Sequence, residues 1–169
     1  MQTNAVPHLD QSINTTGCCP KFNPDGWDDQ TLHFEDKPFV KATTRSAVHI
    51  PLNMGTVFGR VQNHIEEAGA YDQDDIIVLS QDQSRWKADH YFSVSGVVAD
   101  EDMTTLSGDF VTKVFEGPYR DAKQWYEEMK SLAAQRGSTS EDVYFFYTTC
   151  PRCAKAYGQN YVVGVARIN

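Results

Sequence analysis

Residues 108–137 read GDFVTKVFEGPYRDAKQWYEEMKSLAAQRG and carry the clearest structural pattern in the chain. The first eight residues are rich in β-branched and aromatic side chains, which predicts a strand over Gly108–Phe115. Gly117-Pro118 then turns the chain, and proline is well tolerated where a helix begins. Apolar side chains recur at helical spacing up to Gly137, so we expect a helix whose apolar face comprises Ala122, Trp125, Tyr126, Met129, Leu132 and Ala133.

The same order of elements is predicted earlier in the chain. The run Phe39–Ile50 is rich in β-branched residues and indicates a strand. An amphipathic helical pattern follows from Met54 to Gly69, where glycine is typical of a helix C-terminus. The stretches Ile76–Leu79 and His90–Val98 then favour two strands.

Two more strands, Val143–Thr149 and Tyr161–Ile168, complete the second half and make the order βαββ twice. The sequence therefore predicts an α+β fold in which duplicated βαββ units form one antiparallel sheet with two helices on one face. The two halves share no matching sequence repeat. In such an arrangement, a cleft between the halves is the natural place for a small-molecule ligand.

The length of 169 residues is that of one typical domain, which we place over residues 18–169. Residues 1–17 are polar and without periodicity, so we expect a mobile N-terminal tail there. This tail has neither the basic start nor the apolar stretch of a signal peptide, and no apolar run is long enough to span a membrane. A cytoplasmic location is the resulting prediction.

The formal net charge of −8 argues against nucleic acids and anionic membranes as partners, because both attract basic surfaces. A neutral or cationic small molecule is compatible with it. The sequence contains no P-loop and no Gly-rich dinucleotide fingerprint, so no nucleotide cofactor is expected. The oligomeric state is left open.

Four cysteines form the most specific chemical motif. Cys150 and Cys153 have the C-x-x-C spacing at which two thiolates can hold one tetrahedral zinc ion. Cys18 and Cys19 complete the metal site if the N-terminal loop folds against the last hairpin, but adjacent side chains of an extended chain point opposite ways, so an unusual turn is needed. A site that uses only Cys19, or that adds a histidine, stays open. A structural zinc clamp is the favoured interpretation.

Two alternatives stay open for these cysteines: a redox or soft-metal-responsive thiol site, and incidental thiols. A thioredoxin-like site is disfavoured. Such a motif opens a helix after a strand in a βαβ unit, whereas we expect this one in a loop between two late strands.

The motif KVFEGPY at residues 113–119 resembles the strand–turn–helix junction of the gyrase-inhibitor-like (GyrI-like) small-molecule or effector-binding superfamily, and the doubled βαββ order is similar to its fold. That resemblance implies a small, often cationic or flat aromatic ligand in the cleft, and one branch hydrolyses strained cyclopropane-bearing toxins. More closely, the chain resembles a bacterial subfamily labelled "hydrolase", through the motifs CCPKF (18–22), HIPLNMG (49–55), KVFEGPY and YTTCPRCAKAYG (147–158) followed by NYVV (160–163).

One departure from the superfamily affects the expected ligand. Members that bind cations often carry a Glu shortly before a Tyr in the penultimate strand, and Val143–Tyr147 contains no acid. This puts binding of cationic drugs in doubt. Glu116 is then the acid expected nearest the cleft.

We therefore expect Glu116 to act as general acid or base and Tyr147 to donate a hydrogen bond to a developing oxyanion. The ligand-binding residues expected around them are Trp86, Tyr91, Lys113, Tyr119 and Trp125. The favoured function is a small-molecule-binding domain, with hydrolysis of an electrophilic or strained organic compound as its candidate activity. The alternatives are a non-catalytic, zinc-stabilised ligand-binding or stress-sensing module, and a thiol redox protein that uses the C-x-x-C pair.

Overall fold

The computed structural model describes residues 2–73 and 75–169 of the chain. A single turn of 3₁₀-helix at Tyr119–Asp121 precedes the second α-helix. The strands and α-helices in chain order are β1 (Thr31–Ala47), β2 (Ile50–Pro51), α1 (Met54–Glu67), β3 (Val78–Ser84), β4 (Lys87–Ser93), β5 (Asp102–Glu116), α2 (Ala122–Gln135), β6 (Val143–Tyr147), α3 (Pro151–Tyr157) and β7 (Tyr161–Arg167).

Six of these strands form a closed antiparallel barrel in the order β1-β4-β3-β6-β7-β5, and β5 pairs back with β1. The closing pairing runs from Thr31 opposite Val111 to Lys41 opposite Asp102. Its register shifts between Phe34 and Lys37, which lets the long strand bend around the barrel. The short strand β2 pairs with the far end of β1.

The inside of the barrel is a packed core. Alternate residues of each strand point inward, and large side chains from all around the wall meet there. Trp27 enters this core from the N-terminal segment, is fully buried, and donates its Nε1–H to the carbonyl oxygen of His8 over 3.2 Å. Its neighbours in the core include Phe22, Phe34, Phe39, Phe110, Tyr144 and Phe146.

The two long helices cover different parts of the outer surface. Helix α1 packs Val57, Val61 and Ile65 against a cluster that includes Val40 of β1 and Phe92 of β4. Helix α2 covers β5, β6 and β7 with a second cluster. There the Trp125 ring stacks on Phe115, with centroids 5.5 Å apart and ring planes 19° from parallel. In the described part of the chain, no helix is long and apolar enough to cross a membrane.

The predicted α+β class and antiparallel pairing are confirmed, and both long helices lie on the outer face of the sheet, but the sheet closes into a barrel, which was not predicted. It closes because β1 and β5 are 17 and 15 residues long, much longer than the predicted strands. The additional residues of these strands, such as Asp36 and Lys37 of β1, lack the apolar alternation that predicts a strand. The element order matches the predicted one apart from β2 and α3, while duplication of one βαββ unit stays a prediction.

Residues 2–17, where we expected a mobile tail, contact the barrel. The Asn4 backbone N–H donates to the His33 carbonyl over 2.8 Å, and the Asn4 side chain donates to the Glu35 carbonyl over 2.9 Å. Val6 and Leu9 are buried in the barrel core. Two apolar side chains in a polar stretch are too weak a pattern to predict this packing, and the division of the chain at residue 17 stays a prediction.

Gly164 of β7 provides a test of packing between α2 and the barrel. A Cβ atom there would lie 2.6 Å from Met129 Sδ and 3.0 Å from Phe115 Cε2, both in a buried cluster. We expect Gly164→Ala to lower the free energy of unfolding by about 1–3 kcal/mol, because well-packed cores resist overpacking. The measurement is the midpoint of urea unfolding at unchanged m-value.

Gly59 of α1 is the matched control, since a Cβ added there meets no atom within 4 Å. Gly59→Ala should leave stability unchanged or raise it by up to about 1 kcal/mol through helix propensity. Equal midpoints for the wild type and Gly164→Ala would contradict the packing described here.

His90 provides a second test, through pH. Its ring is 1% exposed, with Nε2 2.8 Å from Thr44 Oγ1 and Nδ1 2.7 Å from Ser80 Oγ. The ring of Phe58 from α1 covers it at a centroid distance of 4.9 Å. A neutral imidazole satisfies both hydroxyl partners, because one nitrogen donates and the other accepts. Burial lowers the pKa of His90 to about 4.

The unfolded chain therefore takes up a proton at His90 before the folded chain does. The contribution to stability is complete above the unfolded pKa near 6.5 and is lost as the pH falls from there toward 4. We expect His90 to lower the free energy of unfolding by about 2 kcal/mol as the pH falls from about 7 to about 5. Urea unfolding of the wild type and His90→Gln at both pH values isolates this loss, and equal pH dependence of the two proteins would refute it.

Candidate metal centre

Four cysteines from the two ends of the chain meet at one end of the barrel. Cys18 and Cys19 belong to the N-terminal segment, whereas Cys150 and Cys153 lie between β6 and β7. Their four sulfur atoms all lie within 4.8 Å of one another. The Cys18 and Cys19 sulfurs are 3.7 Å apart, close to the ~3.8 Å edge of a tetrahedron with zinc–sulfur bonds of ~2.3 Å. The cluster thus has the size of a tetrathiolate metal site.

The C-x-x-C pair opens the short helix α3, and the expectation of a loop was wrong here. Cys150 is the N-cap, Pro151 occupies the first helical position, and Gly158 ends the helix in the left-handed conformation at φ 72°. Pro at the start and Gly just past the end are the usual signals of a helix, but seven residues are too few for a recognisable apolar period.

This geometry also bears on the thioredoxin-like alternative. The motif does follow a strand and open a helix, contrary to one reason for disfavouring that alternative. However, β6 and β7 pair with each other antiparallel, so the helix does not belong to a βαβ unit.

The unusual turn required for Cys18 and Cys19 is present. Gly17 has a φ of 71°, in the left-handed region that glycine adopts without strain. The Thr16 hydroxyl accepts a hydrogen bond from the Cys18 N–H over 3.3 Å, and the Lys21 N–H donates to the Ile13 carbonyl over 2.7 Å. This tight loop allows two adjacent thiols to reach one centre.

Two residues that the sequence analysis missed hold the cluster in place. Thr16 Oγ1 lies 3.2 Å from Cys153 Sγ, and the Tyr157 hydroxyl donates to the Cys19 carbonyl over 2.6 Å. The Cys150 N–H also donates to Cys19 Sγ over 3.5 Å. Thr16 and Tyr157 carry no motif of their own, and only the folded chain brings them to the cysteines.

The thiols differ in their acidity. Hydrogen bonding from the Thr16 hydroxyl is the largest cause that lowers the pKa of Cys153, to about 6. Burial instead raises the pKa of Cys19 well above its usual range. Without a cation, therefore, the cluster does not hold four thiolates at neutral pH. A divalent metal ion bound there would supply the charge that deprotonates all four.

The residues predicted to line a ligand cleft do not converge on one site. Lys113 and Trp125 lie between the barrel and α2, where Trp125 is buried and Lys113 pairs with Glu128 at 3.2 Å. Tyr91 packs against Tyr144 at a centroid distance of 5.7 Å, next to the core inside the barrel. Trp86, 59% exposed, lies in the turn between β3 and β4.

Tyr119 and Tyr147 do meet, on the outer surface near the cysteines. Their ring centroids are 5.9 Å apart, and the Tyr119 hydroxyl donates to the Thr149 carbonyl over 2.8 Å, next to Cys150. Tyr147 is 38% exposed, so a solute can reach it.

Glu116 is exposed at the end of β5, opposite Tyr161 of β7. Tyr147 of β6 is opposite Val162, the next residue along β7. Successive residues of a strand point to opposite faces, so Glu116 and Tyr147 lie on different faces of the barrel wall.

Two cavities in the described part of the chain bear on the predicted ligand cleft. A small cavity of about 10 Å³ lies beside the cysteines and is lined by Lys21, Phe22, Thr148, Thr149, Tyr157, Gln159 and Tyr161. A larger open groove of about 480 Å³ lies beside α1 and includes Lys41, Arg60 and Asp100. Neither contains any of the residues predicted for catalysis or ligand binding.

A family model described as "Bacterial hydrolase" matches residues 9–168, a range that includes all four cysteines and every strand of the barrel. A comparison with curated proteins gave no match. The predicted bacterial "hydrolase" subfamily is confirmed at the level of the family, while the wider GyrI-like resemblance stays a prediction. The chain belongs to the bacterial hydrolase family.

Proposed function

We propose that this protein is a zinc-stabilised domain in which Cys18, Cys19, Cys150 and Cys153 together bind one structural zinc ion. The observation that carries the proposal is the convergence of four sulfur atoms within 4.8 Å, from segments 131 residues apart in sequence. Incidental thiols have no reason to gather at one point. A redox pair needs only two thiols, whereas here all four face a common centre.

The donor set favours zinc in a structural role. Four thiolates suit zinc or iron in tetrahedral geometry, and zinc is the ion without redox chemistry. Four protein ligands also complete the tetrahedron and leave no open position for water or a substrate. The ion would then join the N-terminal segment to the connection between β6 and β7. Trp27 follows closely in the same segment, so its insertion into the barrel core depends on the same join.

The first test is the metal content of untagged protein, with Thr16→Ala compared with Thr15→Ala. We expect about one zinc ion per chain, and its loss in Cys150→Ser and Cys153→Ser. Thr16→Ala should weaken zinc binding by about 10-fold or more, because hydrogen bonds to a ligand atom tune metal affinity. Thr15 is an exposed neighbour for which no sulfur contact is found, so Thr15→Ala should bind zinc as the wild type does.

Cobalt substitution provides an independent readout, since tetrahedral cobalt thiolates have intense visible bands that change when one sulfur ligand is lost. Full-length protein with four freely reactive thiols and no metal would overturn the proposal. Iron in place of zinc would overturn the choice of ion.

A second candidate function is hydrolysis of a small organic compound, which the description of the family favours. Catalysis would then take place away from a closed zinc site. In this proposal Tyr147 donates a hydrogen bond to the developing oxyanion, supported by its exposure and by its contact with Tyr119. Glu116 remains a candidate acid or base, but its position on the other face of the wall argues against both residues acting on one atom.

The probe for this activity is hydrolysis of p-nitrophenyl acetate by the full chain. We expect Tyr147→Phe to lower kcat/KM by about 10-fold or more, as loss of an oxyanion donor does. Tyr71→Phe is the control, because Tyr71 is similarly exposed but follows α1 at a distance from Tyr147 in sequence. Equal rates for the wild type and Tyr147→Phe would remove Tyr147 from the mechanism, and Glu116→Gln tests the second residue in the same assay.

A further inference from the structure

The end of the barrel away from the cysteines carries an unusual group of exposed apolar side chains. Strand β6 runs toward Cys150, and β3 pairs with it antiparallel, so the turn after β3 lies at the opposite end. The end of β1 reaches the same place through its pairing with β4. Here lie four side chains that are 59–67% exposed, which we call the apolar tip: Val48, Ile50, Leu52 and Trp86.

Backbone hydrogen bonds hold the two turns of the apolar tip together. The Ser46 N–H donates to the Trp86 carbonyl over 2.7 Å, and the His49 N–H donates to the Arg85 carbonyl over 2.9 Å. The four side chains therefore project from one defined structure. Singly exposed apolar residues are common, but a group of large ones usually marks an interaction surface.

Two residues of the tip have positive φ angles that are unfavourable for their side chains. Val48 and His49 form the two-residue turn between Ala47 and Ile50, with φ angles of 50° and 67°. Turns of this kind favour Asn-Gly, and a β-branched residue at positive φ is a genuine outlier. A strained position that displays a valine to solvent indicates a role for that side chain outside the fold.

Positive charges border the apolar tip although the chain as a whole carries −8. Arg45, Arg85 and Lys87 are exposed, and none of them forms an ion pair within residues 2–73 and 75–169. His49 pairs with Asp82 at 2.8 Å. Exposed charges separated by more than about 8–10 Å are largely screened at physiological salt, so a partner at the tip meets mainly these local cations.

We propose that the apolar tip docks on an anionic lipid bilayer, with its apolar side chains in the interfacial region and the three basic side chains at the lipid phosphates. Tryptophan favours this interface, because its ring is largely apolar and its N–H is polar. Arg and Lys can extend along the apolar layer to reach anionic head groups. The tip projects as two turns rather than forming a groove, and a projection suits a deformable lipid surface better than it suits a peptide.

The apolar tip is locally basic, whereas the sequence-based exclusion of anionic membranes used the net charge of the whole chain. The tip lies at the other end of the barrel from the proposed zinc site and contains none of the cysteines. Membrane docking at the tip is therefore independent of the metal.

The test is co-sedimentation of the full chain with phosphatidylcholine vesicles that contain about 30% phosphatidylserine, compared with phosphatidylcholine alone. We expect the chain to bind the anionic vesicles, and added salt should weaken this binding. Without phosphatidylserine, binding should be weaker by at least about 10-fold. The triple variant Ile50→Ser, Leu52→Ser, Trp86→Ser should lose at least about 10-fold in partitioning, through lost apolar contact. Val97→Ser, at an 80% exposed position outside the tip, is the matched control and should bind normally.

Charge reversal tests the basic border separately. Arg85→Glu with Lys87→Glu should abolish binding to anionic vesicles, whereas Arg120→Glu with Lys123→Glu, two exposed cations near the start of α2, should alter it far less. Equal losses from the two double variants would point to net charge alone and would overturn the role of the tip.

Tryptophan emission reports the contact directly, because Trp27 and Trp125 are buried and Trp86 is exposed. Transfer to the bilayer should blue-shift Trp86 emission, bromine atoms on the lipid should quench it, and Trp86→Phe should remove both responses. Absence of quenching overturns the proposal. So does a solution dimer that the triple variant dissociates while vesicles bind no protein, since a second copy would then be what covers the tip.

Discussion

The antiparallel pairing of β1 with β5 joins the two longest strands of the sheet and closes it on itself. In β1, residues 39–41 pair with β4 on one side and with β5 on the other. A strand of 17 residues can pair with both neighbours in a closed barrel only if it bends. The register shift between Phe34 and Lys37, with Asp36 at a φ of 48°, supplies that bend, and the Ser107 hydroxyl accepts a hydrogen bond from the Asp36 N–H.

Closure has a direct consequence for function. In a closed six-stranded wall, the inward side chains fill the interior, and here aromatic rings and Trp27 occupy it. The outer surface is shared between α1 and α2, so most of the wall is covered on both sides. The accessible features include the two ends of the barrel, the partly exposed tyrosines near one of them and the open groove beside α1.

The two ends have opposite chemical character. At one end, four soft sulfur ligands from distant parts of the chain meet, and their neighbours Thr16 and Tyr157 fix their positions. At the other end, large apolar side chains project from two strained or tight turns, bordered by Arg45, Arg85 and Lys87, which form no ion pair in the part of the chain that the structure describes. The proposed metal clamp and the proposed docking surface can operate independently, because a packed barrel separates them.

The sequence by itself determined the elements with strong local patterns. Helix α1 begins at Met54 as predicted, and α2 has the predicted apolar face, because each has a clear helical period. The sequence also indicated that the C-x-x-C pair can bind a metal, since two thiols at that spacing can reach one ion. Barrel closure, the packing of residues 2–17, the helix after Cys150 and the separation of Glu116 from Tyr147 were decided by the tertiary structure alone. Each depends on contacts between residues far apart in the chain, and local hydrophobic periodicity carries no information about such contacts.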